Sequence, residues 1–162
     1  AKHALITYDF SDPAVVVGHY DPRAPLSHRD MLLEIKVLGF RFLNGVRVHT
    51  VRDESSDHRS SFGFRYDTLE GHIEEGFEWF LLSKNHETGE LRFRIQAHWR
   101  LGHFPNWWSR VGFVLMGWRF RQQWRRTAIR RLRALARQQP SAPVARPGEL
   151  AHRGDRAPIH RR

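Results

Sequence analysis

The chain contains no cysteine. Disulfides and thiolate metal sites are therefore excluded, and the composition leans towards a reducing compartment such as the cytoplasm. No charged, apolar and small-residue signal pattern opens the sequence, which agrees with that expectation. Among the 11 histidines there is no HExxH and no closely spaced pair, so no metal site is expected. A Gly-rich phosphate loop and a nucleophile elbow are also missing, and no cofactor is implied. The most aromatic run, Trp107–Trp118, is too short to span a bilayer, which takes about 20 residues. No internal repeat is visible.

Acidic residues are scarce at one end only. The net charge of +10 comes from 27 Lys/Arg and 17 Asp/Glu. Residues 119–162 hold 13 arginines against Glu149 and Asp155 alone, a balance of +11. Residues 1–118 hold 14 basic and 15 acidic groups, a balance of −1. Any contact with anionic lipid or nucleic acid is thus expected through Arg119–Arg137 and the tail behind them.

What is present is a run of alternating segments. Leu5–Phe10 and Ala14–Tyr20 read as short strands, and Asp21–Ser27 as a loop with two prolines. Met31, Leu33, Ile35 and Val37 alternate with Glu34 and Lys36. Phe40, Phe42, Asn44, Val46 and Val48 then share one parity. Phe62, Phe64, Tyr66 and Thr68 share another, and Glu70-Gly71-His72 turns the chain. Ile73–Leu82 returns with Phe77, Trp79 and Leu81 opposite Glu78 and Phe80. After the Asn- and Gly-bearing turn Lys84–Gly89, Leu91, Phe93, Ile95, Ala97 and Trp99 alternate with polar residues. Period two over such lengths means one buried and one wet face. Short turns between consecutive strands make an antiparallel meander.

A sheet with an aromatic face needs a cover. Pro105 suits the first turn of a helix, and no proline follows until Pro140. Phe113, Gly117, Phe120, Trp124, Ala128, Leu132 and Leu135 form one helical stripe, with the arginines on other faces. Residues 1–139 are read as one domain and 140–162 as a disordered basic tail.

Gly63, Phe64, Tyr66, Thr68, Leu69, Gly71, His72, Gly76, Glu78 and Phe80 stand at the places of a block G-F-x-Y-G-T-L-P-G-H-x-x-x-G-E-E-x-F. Through these residues the chain resembles the uncharacterised family DUF1990 (UPF0548), over roughly residues 39–137. Asp67, Glu70 and Phe77 depart from the block, and Phe77 removes one carboxylate of its Glu pair. The resemblance implies an α+β helix-grip fold related to the START and Bet v 1-like superfamily. There a curved antiparallel sheet wraps a long C-terminal helix, with an apolar cavity between them.

The expected occupant is a hydrophobic or amphipathic small molecule. The expected ligand-binding residues are Phe42, Asn44, Phe64, Tyr66, Thr68, Trp79, Phe93, Phe113, Gly117 and Phe120. Tyr66, Thr68 and Asn44 either present polar ends to the cavity or are satisfied locally. His72 either carries a proton or fixes its turn by a hydrogen bond, the preferred reading. Glu78 is either a buried carboxylate with a raised pKa or a partner for Arg47 or Arg65, the preferred reading. No catalytic residue is assigned, and His72 and Glu78 are the candidates. A cyclase, hydratase or hydrolase in the same cavity is the alternative function. It requires Tyr66, His72 or Glu78 to converge in pairs on one pocket. Peripheral binding to nucleic acid or anionic membrane is the other alternative.

Overall fold

The computed structural model describes residues 1–72, 74–102 and 107–138. A short helix α1 (Lys2–Ile6) precedes six strands and a closing helix. The strands are β1 (Val16–His19), β2 (Asp30–Val37), β3 (Phe40–Ser55), β4 (Arg59–Thr68), β5 (Glu74–Asn85) and β6 (Leu91–Leu101), and the helix is α2 (Trp107–Gln138). The strands form a single antiparallel meander in sequence order. This is the expected α+β helix-grip architecture: a curved open sheet and one long C-terminal helix. Pro105 and the tail 140–162 lie outside the described residues.

The inner face follows the sequence parity. Met31 and Leu33 of β2, Val46 and Val48 of β3, and Phe62, Phe64 and Tyr66 of β4 are all buried. A register shift between Val48 and Thr50 bends β3, so the same strand can serve both ends of a curved sheet. From α2, Trp124, Ala128 and Leu132 complete the core.

Leu5–Phe10 is not a strand. It is the end of α1 followed by a turn in which Tyr8 takes a left-handed φ of 62°. The β-prone residues mislead because they serve a different packing. Leu5, Tyr8 and Phe10 are buried against the sheet face, with Phe10 5.0 Å from Phe80 and 5.6 Å from Phe93 between ring centroids. The segment plugs the sheet instead of extending its edge. It also fastens α2: the Trp124 indole donates to Ser11 Oγ at 3.0 Å, and Arg131 Nε donates to the Asp9 carbonyl at 2.6 Å.

Candidate functional site

Beyond the packed core, sheet and helix stand apart. A cavity of about 680 Å³ lies between the inner face and the first half of α2. Such a volume falls within the range of about 300–1,000 Å³ common for small-molecule sites. Its wall is mostly apolar: Leu33, Ile35 and Val37 from β2, Phe40 and Phe42 from β3, and Phe113, Met116 and Phe120 from α2. Leu38, Phe40, Phe42, Trp99 and Met116 line it while remaining solvent-exposed, and they mark its mouth.

The polar groups gather at the inner end. The β4–β5 register sets Tyr66 opposite Glu78, which places both on the inner face. The Tyr66 hydroxyl donates to Glu78 Oε2 at 2.7 Å. Glu74, four residues earlier, shares that face. Above them Arg121 and Arg125, also four apart, share one face of α2. Arg121 pairs tightly with Glu74 and lies over the Trp99 ring, 3.7 Å from its centroid. Arg125 reaches Glu78 only at 3.9 Å.

Glu78 is therefore the under-compensated carboxylate. Burial pushes its pKa up to about 7, against the opposing pull of the Tyr66 hydrogen bond and Arg125. Burial likewise raises Glu74, and Arg121 and Arg125 pull it back. Tyr66 is raised well above the usual phenol range by burial, then by the charge of Glu78. Tyr8 faces the same cluster and is raised by the same two causes. At neutral pH the pair Tyr66–Glu78 can hold or release one proton.

His72 lines the cavity, but its Nδ1 accepts the Glu74 backbone N–H at 2.9 Å. That bond fixes the turn and puts the ring proton on Nε2. Burial lowers the His72 pKa to about 4, so the ring is neutral at pH 7. Thr68 Oγ1 accepts the Gly76 N–H at 2.9 Å and donates to the Gly76 carbonyl at 3.2 Å, so it too is satisfied locally. Gly76 must be glycine there, because a Cβ would collide with the His98 carbonyl on β6. Among the described residues no group of three His, Asp or Glu is placed to hold a metal ion.

Of the residues expected at the cavity, Phe42, Tyr66, Thr68, Phe113, Gly117 and Phe120 line it, as do His72 and Glu78. Four others stand elsewhere. Trp79 is on the outer face, paired with Arg65 across β4 and stacked under the Arg52 guanidinium at 4.7 Å. Phe80, on the opposite parity of β5, is the buried one. Phe64 is fully buried in the core, 5.0 Å from Phe80, and fills space instead of lining it. Phe93 lines a separate depression at the other end of the sheet. Asn44 is buried beside the core, off the cavity wall, with its Nδ2 unpartnered among the described residues.

The pairing expected for Glu78 is also corrected. Arg47 is taken by Asp30 at 2.6 Å and Arg65 by Asp67 at 2.6 Å, both close at hand on the outer face. Tyr8, Glu74, Arg121 and Arg125 were missed as site residues. Glu74 shares its parity with Phe80, and Arg121 and Arg125 adjoin the apolar stripe, so those signals were readable. The position of Tyr8 had no local signal.

The family model described as Domain of unknown function (DUF1990) matches residues 1–140. The chain belongs to that family. The match begins at residue 1, so the segment carrying Tyr8 falls within it. No curated protein and no solved structure matches the chain. In this DUF1990 protein no helix among the described residues is long and apolar enough to cross a membrane.

Proposed function

We propose that the protein binds a hydrophobic or amphipathic small molecule between its sheet and α2. The observation that carries this reading is the cavity of about 680 Å³, with a mostly apolar wall and polar groups gathered at its inner end. Its size is maintained by sequence. Gly112 and Gly117 stand on the cavity side of α2, where a longer side chain would occupy the space. A Cβ on Gly112 would meet nothing within 4 Å, and one on Gly117 only ordinary contacts at 3.6 Å. Glycine inside a helix costs about 0.5–1 kcal/mol, so these positions trade helix stability for room.

Gly117→Leu separates binding from folding. The variant is expected to be the more stable in thermal unfolding, because the helix gains propensity. It is also expected to lose ligand binding, because the side chain enters the cavity. Undiminished binding would remove the cavity from the account.

A second reading is favoured by the outer side of α2. Trp107, Val111, Val114, Leu115 and Trp118 form an exposed apolar stripe facing away from the cavity. The helix contains nine arginines and no acidic residue. That combination suits peripheral contact with an anionic membrane surface, from which an apolar ligand would enter the mouth. Enzymatic use of the Tyr66–Glu78 pair is an open extension of the first reading. The two groups meet its condition of convergence within hydrogen-bond reach.

A further inference from the structure

Two hydrogen-bond donors of the cavity lining are left without partners among the described residues. This inference rests on the reading that the cavity takes a ligand. Tyr8 is 4% exposed and lines the cavity, and its hydroxyl, near that of Tyr66, makes no hydrogen bond of full geometry among the described residues. Arg125 Nε is buried there and equally unpartnered. Three acceptors around them are engaged, and Glu78 Oε1 stands 3.9 Å from Arg125 Nη2, beyond hydrogen-bond reach. Glu78 Oε2 takes the Tyr66 hydroxyl, Glu74 takes Arg121, and His72 Nδ1 takes a backbone N–H. A buried donor without a partner costs about 1–3 kcal/mol, so two that line one cavity call for an acceptor supplied from outside.

We propose that the bound molecule ends in a carbonyl or carboxylate oxygen seated against the Tyr8 hydroxyl and Arg125 Nε, and that Glu78 takes up a proton when that head is anionic. The charged and titratable groups facing this position are Tyr8 beside α1, Tyr66 on β4, His72 in the turn, Glu74 and Glu78 on β5, and Arg121 and Arg125 on α2. His72 is neutral, and Arg121 is neutralised by Glu74. Glu78 is thus the group whose charge an incoming anion must displace. Its pKa of about 7 makes protonation at neutral pH inexpensive. An ammonium head offers no acceptor to either donor and would be repelled by the Arg125 guanidinium.

The test is a titration of the full chain with dodecanoic acid, methyl dodecanoate and dodecylamine. The acid and the ester are expected to bind roughly tenfold or more tightly than the amine, the worth of one to two hydrogen bonds. Affinity for the acid should fall between about pH 6 and about pH 8, as Glu78 ionises, while that for the ester stays nearly flat. Tyr8→Phe keeps the ring packed on Phe10 and Phe80 and is expected to erase most of the preference over the amine. Glu78→Gln should flatten the pH profile of the acid. Equal or tighter binding of the amine would overturn the head-group assignment and leave the cavity reading standing. Failure of all three to bind would overturn both.

Discussion

Glu78 shows how one residue acquires chemistry from its neighbours. Its strand parity puts it inside, Arg125 stays 3.9 Å away, and burial does the rest. The consequence for stability has a definite sign. A carboxyl raised to about 7 holds a proton in the folded state that the unfolded state has already released. Stability is therefore lost as pH rises from about 4.5 to about 7, by an amount on the order of 2–4 kcal/mol. His72 works in the other direction. Lowered to about 4, it stays neutral in the folded state while the unfolded state binds a proton, so stability is lost as pH falls from about 6.5 to about 4. Glu78→Gln keeps an acceptor for Tyr66 and removes the first slope. It is expected to be more stable than the parent at about pH 8 and to lose stability on acidification, where the parent's two slopes offset. Unfolding curves across pH that coincide for the two proteins would contradict this account of Glu78.

The elements differ in how much of them a sequence discloses. Alternation is a local property, so the inner faces of β2, β3, β4 and β6 were legible from residues such as Leu33, Val46, Phe64 and Phe93. The stripe Gly117–Phe120–Trp124–Ala128 placed the helix in the same way. Which side of β5 faces inward was not local. Phe77–Trp79–Leu81 and Glu78–Phe80–Leu82 are both aromatic enough, and the register with Phe64 and Tyr66 decides. The helical stripe puts Arg121 and Arg125 on other faces, where arginines are usually solvated. The buried Glu74 and Glu78 override that default. The segment around Tyr8 was lost altogether, since its structure comes from long-range packing.

The β2–β3 hairpin carries a prediction of its own. Its two-residue turn needs positive φ at both positions, and Leu38 (49°) shares it with Gly39 (83°). A leucine pays roughly 1 kcal/mol for that backbone, and here it lines the cavity mouth. Leu38→Asn is expected to stabilise the fold by roughly that amount and to weaken ligand binding. A destabilised variant with unchanged affinity would contradict both parts.

At the scale of the molecule, the first half of α2 is apolar on two sides. Phe113, Met116 and Gly117 face the cavity, and Leu115 and Trp118 are 71% and 65% exposed on the other. The apolar residues of this half therefore meet the cavity on one side of the helix only. The exposed side gives the membrane reading a direct check. Vesicles containing phosphatidylglycerol should bind the protein, and pure phosphatidylcholine vesicles much less. Leu115→Asp with Trp118→Asp should abolish the association without unfolding the core, because neither side chain is buried. Binding that persists in the double variant would remove this surface.

The central claim is that the space between sheet and helix is kept for a ligand. Native mass spectrometry of the protein purified from its own source measures that most directly. The expected result is a population heavier than the polypeptide by the mass of a small molecule, absent from Gly117→Leu prepared in the same way. A bare polypeptide mass in the parent, with no small molecule retained under gentle conditions, would contradict it.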